Sequence, residues 1–98
     1  MPYFVYILFS EKLDRFYTGT TDDAERRLAE HNSAHYANTF TTKGIPWETF
    51  LCIECKTSKA AYALEKYIKQ MKSSAFIVRL KENPNLLADV ISKIEKTL

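Results

Sequence analysis

The chain has 98 residues and a mass of 11.4 kDa, a length that predicts one domain built on one sheet or bundle. Hydrophobic residues make up 46% and charged residues 27%, with two glycines and three prolines, so disordered, collagen-like and low-complexity readings are excluded. The net charge is only +2, no apolar run nears the ~20 residues of a membrane span, and two cysteines cannot build a secreted disulfide framework. Pro2 to Phe9 is apolar but lacks the basic start and small-residue cleavage site of a signal peptide, so the expectation is a soluble, cytoplasmic protein.

Tyr3 to Ser10 is aromatic and β-branched and predicts a strand, with its unbroken apolarity predicting cover on both faces. Glu11 to Arg15 reads as a five-residue loop, and Phe16 to Thr20 as the second strand of a hairpin. Gly19 there allows a close approach or a bulge. Asp22 to Asn32 reads as a helix capped by Thr21 or Asp22, with Ala24 and Leu28 starting its inward stripe. Ser33 to Gly44, including His35 and Tyr36, shows no period and reads as a loop or short irregular helix. Trp47 to Cys55 reads as a third strand with Trp47, Thr49, Leu51 and Ile53 on one face and Phe50 and Cys52 on the other. Ser58 to Lys72 reads as a helix capped by Thr57 or Ser58, its stripe formed by Ala61, Leu64, Ile68 and Met71. Ala75 to Leu80 is a short helical stretch. Pro84 then opens a last amphipathic helix, about 84–97, buried through Leu86, Leu87, Val90, Ile91 and Ile94. The result is an α/β domain with a small three-stranded antiparallel sheet in the order β-β-α-β-α-α.

The charge is unevenly spread. Residues 56–81 carry seven basic side chains and a single acid, Glu65. Such a stretch attracts a polyanion, although a solvated lysine-rich helix face has the same composition.

Five side chains stand out as a set. Tyr6 lies within Phe4-Val5-Tyr6-Ile7-Leu8, and Tyr17 within Phe16-Tyr17-Thr18-Gly19. Arg27 and His31 are four apart on the first helix and share a face, with Asn32 following. Glu65 sits at the edge of the apolar stripe of the basic helix. Singly, each has a plain reading: strand aromatics pack, helix arginines are solvated, and Glu65 can pair with Lys66 or Lys69. In this order and spacing they resemble the GIY-YIG nuclease family. Val5-Tyr6-Ile7 stands for the first motif and Tyr17-Thr18-Gly19 for the second, with Phe4 and Thr18 as departures. The segment 21–32 is similar to the family's arginine helix, Ala63 to Lys69 to its glutamate segment, and Gly44-Ile45-Pro46-Trp47 to the third-strand entry of small stand-alone members. The resemblance covers roughly residues 2–80 and leaves out the last helix.

The resemblance implies a Mg²⁺- or Mn²⁺-dependent endonuclease hydrolysing phosphodiester bonds in DNA, with repair or processing as a family expectation. A single carboxylate suits Mg²⁺, which keeps several waters, and Glu65 is the candidate metal ligand. Arg27 offers a planar fork of donors to the phosphate. The resemblance sets a tyrosine beside the attacking water: Tyr17 as base and Tyr6 as a positioning hydroxyl, roles that can be exchanged. A phenol of pKa ~10 needs a nearby cation for this, from Arg27, His31 or Lys43. Lys43, Lys59, Lys66, Lys69 and Lys72 are the candidate nucleic-acid contacts. Both tyrosines must then face one side of the hairpin, which requires a register such as Tyr6 opposite Gly19 and Leu8 opposite Tyr17.

Cys52 and Cys55, with His31 and His35, have spacings that zinc can use, but strand parity points the two cysteines apart. The rival to catalysis is a module that binds nucleic acid without cutting it. A third reading makes the last helix a protein-interaction surface. A chain this short leaves specificity to its one surface, to nucleic-acid shape or to a protein partner.

Overall fold

The apolar first strand takes the middle of the sheet. In the computed structural model, which describes residues 2–33 and 40–98, β1 (Tyr3–Ser10) pairs antiparallel with β2 (Arg15–Thr21) and with β3 (Trp47–Cys55), in the order β2-β1-β3. Val5, Tyr6, Ile7 and Leu8 are all buried, as a central strand covered on both sides must be. On the Tyr6 side lie α1 (Ala24–Asn32) and the single turn α2 (Phe40–Lys43). On the Val5 side lie α3 (Ser58–Met71), α4 (Ser74–Glu82) and α5 (Pro84–Lys96). His35 and Tyr36 are outside the described residues. Among those described, no helix is long and apolar enough to cross a membrane.

The hairpin adopts the register that the two tyrosines require. Tyr6 pairs with Gly19 and Leu8 with Tyr17, so the tyrosines share a face. The loop is one residue shorter than its sequence suggests, because Arg15 pairs with Ser10 and Asp14 turns the chain at φ 52.

The third strand departs from simple alternation. Ile7 pairs with Leu51 but Leu8 with Thr49, which leaves Phe50 as the extra residue of a bulge. Trp47 therefore joins Tyr6 and Leu8, whereas Leu51 and Ile53 pack on the opposite side with Val5 and Ile7. The expectation that Trp47, Thr49, Leu51 and Ile53 share one face is overturned by this one inserted residue. Phe50 stays opposite Trp47, packing edge-on against Phe16 at 4.9 Å with Lys81 Nζ 4.4 Å from its ring centre, whereas Cys52, paired with Tyr6, comes onto the Trp47 side against expectation. Beyond the bulge parity is regular, and Cys52, exposed, and Cys55, buried, lie on opposite faces.

Three smaller corrections concern helix ends. Asp23 rather than Thr21 or Asp22 caps α1, its carboxylate accepting from the Arg26 N–H at 3.1 Å, and the helix starts at Ala24. Thr21 instead accepts from the Asp23 N–H at 3.0 Å and steadies the approach. Met71 is not in the core but 44% exposed, because α3 ends there and Lys72 turns left-handed at φ 48. Thr57, Ser73 and Asn83 cap α3, α4 and α5, and Val90 and Ile94 turn inward from α5 onto the Val5-side core.

Candidate active site

Gly19 makes room for the first tyrosine. A Cβ at this position would stand 2.5 Å from the Tyr6 hydroxyl oxygen and 2.6 Å from its Cζ, so the phenol lies directly across the glycine. There the Tyr6 hydroxyl shares a 3.1 Å hydrogen bond with His31 Nε2, and both residues are buried. Tyr17 completes a cluster of three rings, with its centroid 6.2 Å from Tyr6 and 5.0 Å, edge-on, from His31. Burial, and then the neighbouring Arg27 guanidinium, push His31 below its ordinary value of 6.5, against a smaller pull from Glu30. The imidazole is therefore neutral at pH 7 and presents one donor nitrogen and one acceptor nitrogen.

The helix that carries His31 is clamped to the sheet by its last residue. Asn32 Oδ1 accepts from the Trp47 N–H at 2.6 Å, and Asn32 Nδ2 donates to the Trp47 carbonyl at 2.9 Å. Trp47 in turn donates through Nε1 to the Thr41 carbonyl at 2.7 Å, and any side chain at Gly44 would collide with its indole. Asn32 is thus a positioning residue for the histidine beside it.

The remaining side chains reach the same rim from both faces, because β2 is an edge strand. Arg27, one turn before His31, lies with Thr20, Thr21, Arg26, Tyr3 and Tyr62 around an open polar groove. Its guanidinium donates to Glu30 at 3.4 Å. From the other side, α3 brings Glu65, whose side chain is 20% exposed and receives Lys69 Nζ at 2.8 Å. Lys69 lines a second groove with Arg15, Tyr17, Thr18, Lys72 and Ser73. Tyr62 and Lys69 stand three before and four after Glu65, hence on its side of the helix. Glu65 lies between the two grooves.

Among the described residues no three His, Cys, Asp or Glu side chains gather into a metal cluster. Among the described residues Glu65 itself lines neither groove, and the one acid that borders them, Asp22, is held by Arg26 at 2.8 Å; Glu65 would be the single protein carboxylate for a metal here. That fits a cation which keeps most of its waters and not one caged by protein. Burial raises the Cys55 thiol above its ordinary value, and partial desolvation with the nearby Glu54 carboxylate raises that of the more open Cys52, so neither is a thiolate at neutral pH.

The catalytic-domain model of the GIY-YIG family matches residues 2–81, from before β1 to one residue short of the end of α4. The chain belongs to the GIY-YIG family. It is also similar to the "UPF0213 protein in potE 3'region" of Serratia liquefaciens, 40% identical over 73 residues that cover 74% of this chain and 70% of the relative. No solved structure gives a significant match. Within the GIY-YIG domain lie Tyr6, Tyr17, Arg27, His31 and Glu65, while α5 falls beyond the matched segment.

Of the lysines expected to meet nucleic acid, Lys69 and Lys72 border the Tyr17 groove. Lys59 and Lys66 are exposed on α3 and Lys43 at the end of α2, and none of the three lines either groove. The sequence reading passed over Arg15 and Tyr62, which do. For Tyr62 the signal was there, since it precedes Glu65 by one helical turn; Arg15 has no such mark, because its place follows from the edge position of β2.

Proposed function

We propose that the chain is a metal-dependent endonuclease that hydrolyses phosphodiester bonds in DNA, in repair or processing, in the cytoplasm. The observation that carries this reading is the Tyr6–Tyr17–His31 cluster at the edge strand of a GIY-YIG domain, with Arg27 and Glu65 reaching that strand from opposite faces. Tyr17 borders the open groove, whereas Tyr6 is 2% exposed and engaged by His31, so Tyr17 takes the proton of the attacking water. Tyr6 and His31 hold the geometry behind it. Arg27 meets the phosphate oxygens with its fork of donors, and Arg15 and Lys69 answer the negative charge that develops in the groove. Glu65 is the group that would hold Mg²⁺ or Mn²⁺, which when bound supplies positive charge to the phosphate and the leaving oxygen.

The second reading is a domain that binds nucleic acid without cutting it. The 2.8 Å ion pair between Lys69 and Glu65 favours it, since an ordinary i,i+4 pair accounts for that carboxylate without a metal. Cleavage of duplex, single-stranded, flapped and branched DNA, and of RNA, with Mg²⁺, Mn²⁺ or chelator separates the two. Metal-dependent cutting that is lost in Glu65→Ala is the expected result. Salt-sensitive binding by the wild type with no cutting on any substrate gives the binding domain.

A further inference from the structure

Tyr62 is an aromatic side chain left in the open beside the reacting groups. Its ring is 52% exposed, yet it is not loose. Tyr3 backs it at a centroid distance of 5.7 Å, and the two hydroxyls are 3.3 Å apart. Arg27 and Arg26 border the same groove, Arg26 paired there with Asp22 at 2.8 Å. At the other end of α3, Arg15, Lys69 and Lys72 line the groove of Tyr17, and among the described residues no acidic side chain lines it. From Tyr62 to Lys72 the helix rises about 15 Å, with Glu65 between.

A fixed, exposed ring flanked by guanidinium groups is a stacking platform for a nucleobase, and a cationic groove in line with it tracks a phosphate backbone. Bases in a duplex have their faces covered by their neighbours, so such a ring finds a partner only where a base is unpaired or turned out of the stack. We propose that a single strand of DNA lies along the edge of β2, with an unpaired base stacked on Tyr62 next to the phosphate at Glu65 and the following backbone held by Arg15 and Lys72. The substrate class is therefore unpaired DNA: single strands, flaps and junction arms. The inference rests on the nuclease reading of the same edge and names its substrate.

Binding in chelator tests it without requiring cleavage. An oligonucleotide carrying 2-aminopurine reports stacking by loss of fluorescence. Wild type and Tyr62→Phe quench the probe, and Tyr62→Ala does not. Tyr62→Ala also binds single-stranded and flapped DNA about 5- to 100-fold more weakly, the usual worth of one base–aromatic stack, with blunt-duplex affinity unchanged. Arg15→Gln lowers the slope of log affinity against log salt by about one on the same single strand. Equal quenching by wild type and Tyr62→Ala, or an equal loss on duplex and single strand, overturns the proposal. Failure to cut, with Tyr62-dependent quenching intact, overturns the nuclease reading and leaves the strand path standing.

Discussion

At the scale of single residues, the site depends on a missing side chain and a neutral imidazole. Gly19→Ala drives a methyl into the Tyr6 phenol, and because that phenol is buried and bonded to His31 it cannot swing aside. The expected loss is about 1–3 kcal/mol of unfolding free energy, read by denaturant titration. Combining the change with Tyr6→Phe, which removes the closest atom, recovers part of the loss, a coupling that a double-mutant cycle measures. His31 gives a pH dependence of definite sign. Its value is depressed in the folded chain, so between its unfolded value near 6.5 and the lower folded one the unfolded chain binds more protons. Stability from this residue is full above 6.5 and falls as pH drops through that window. Unfolding midpoints between pH 8 and 5 should fall for the wild type and flatten for His31→Gln.

At the scale of elements, the clamp between α1 and β3 matters most. Asn32→Ala removes two hydrogen bonds and leaves the Trp47 N–H and carbonyl without those partners, for an expected loss of about 2–4 kcal/mol in thermal or denaturant unfolding. Because His31 is the preceding residue, the same change loosens the Tyr6 hydrogen bond. Activity should therefore fall further than stability alone explains. On the opposite side, Ile94→Ala opens a cavity beneath α5 and costs about 2–5 kcal/mol. These elements also mark where sequence patterning is informative. The hairpin register was readable because strand parity ties Tyr6 to Tyr17 over a short loop, and the starts of α3 and α5 were readable from Thr57 or Ser58 and from Pro84. The bulge was not, since Thr49-Phe50-Leu51 alternates as smoothly as an unbroken strand. Only the pairing with β1 shows that Phe50 is the extra residue. The cap of α1 was blurred by three eligible residues in a row, Thr21, Asp22 and Asp23.

At the scale of the molecule, a three-stranded sheet with helices on both faces has two edges, and the proposed site lies at the β2 edge. Residues far apart in sequence reach this rim from opposite faces: Arg27 and His31 by way of α1, Glu65 and Lys69 by way of α3. That convergence follows from topology, which explains why the tyrosines, arginine, histidine and glutamate were identified through motif order, while Arg15 and Tyr62, which have no motif, emerged only when the edge was built. The most direct test of the central claim is single-turnover cleavage of the best-cut DNA by wild type, Tyr17→Phe and Glu65→Ala, with binding of the same DNA measured in chelator. The edge-site account predicts that Tyr17→Phe slows the metal-dependent reaction by about 10²–10⁴-fold and that Glu65→Ala abolishes it, with DNA affinity nearly unchanged in both. Cleavage by Tyr17→Phe and Glu65→Ala at the wild-type rate would contradict it.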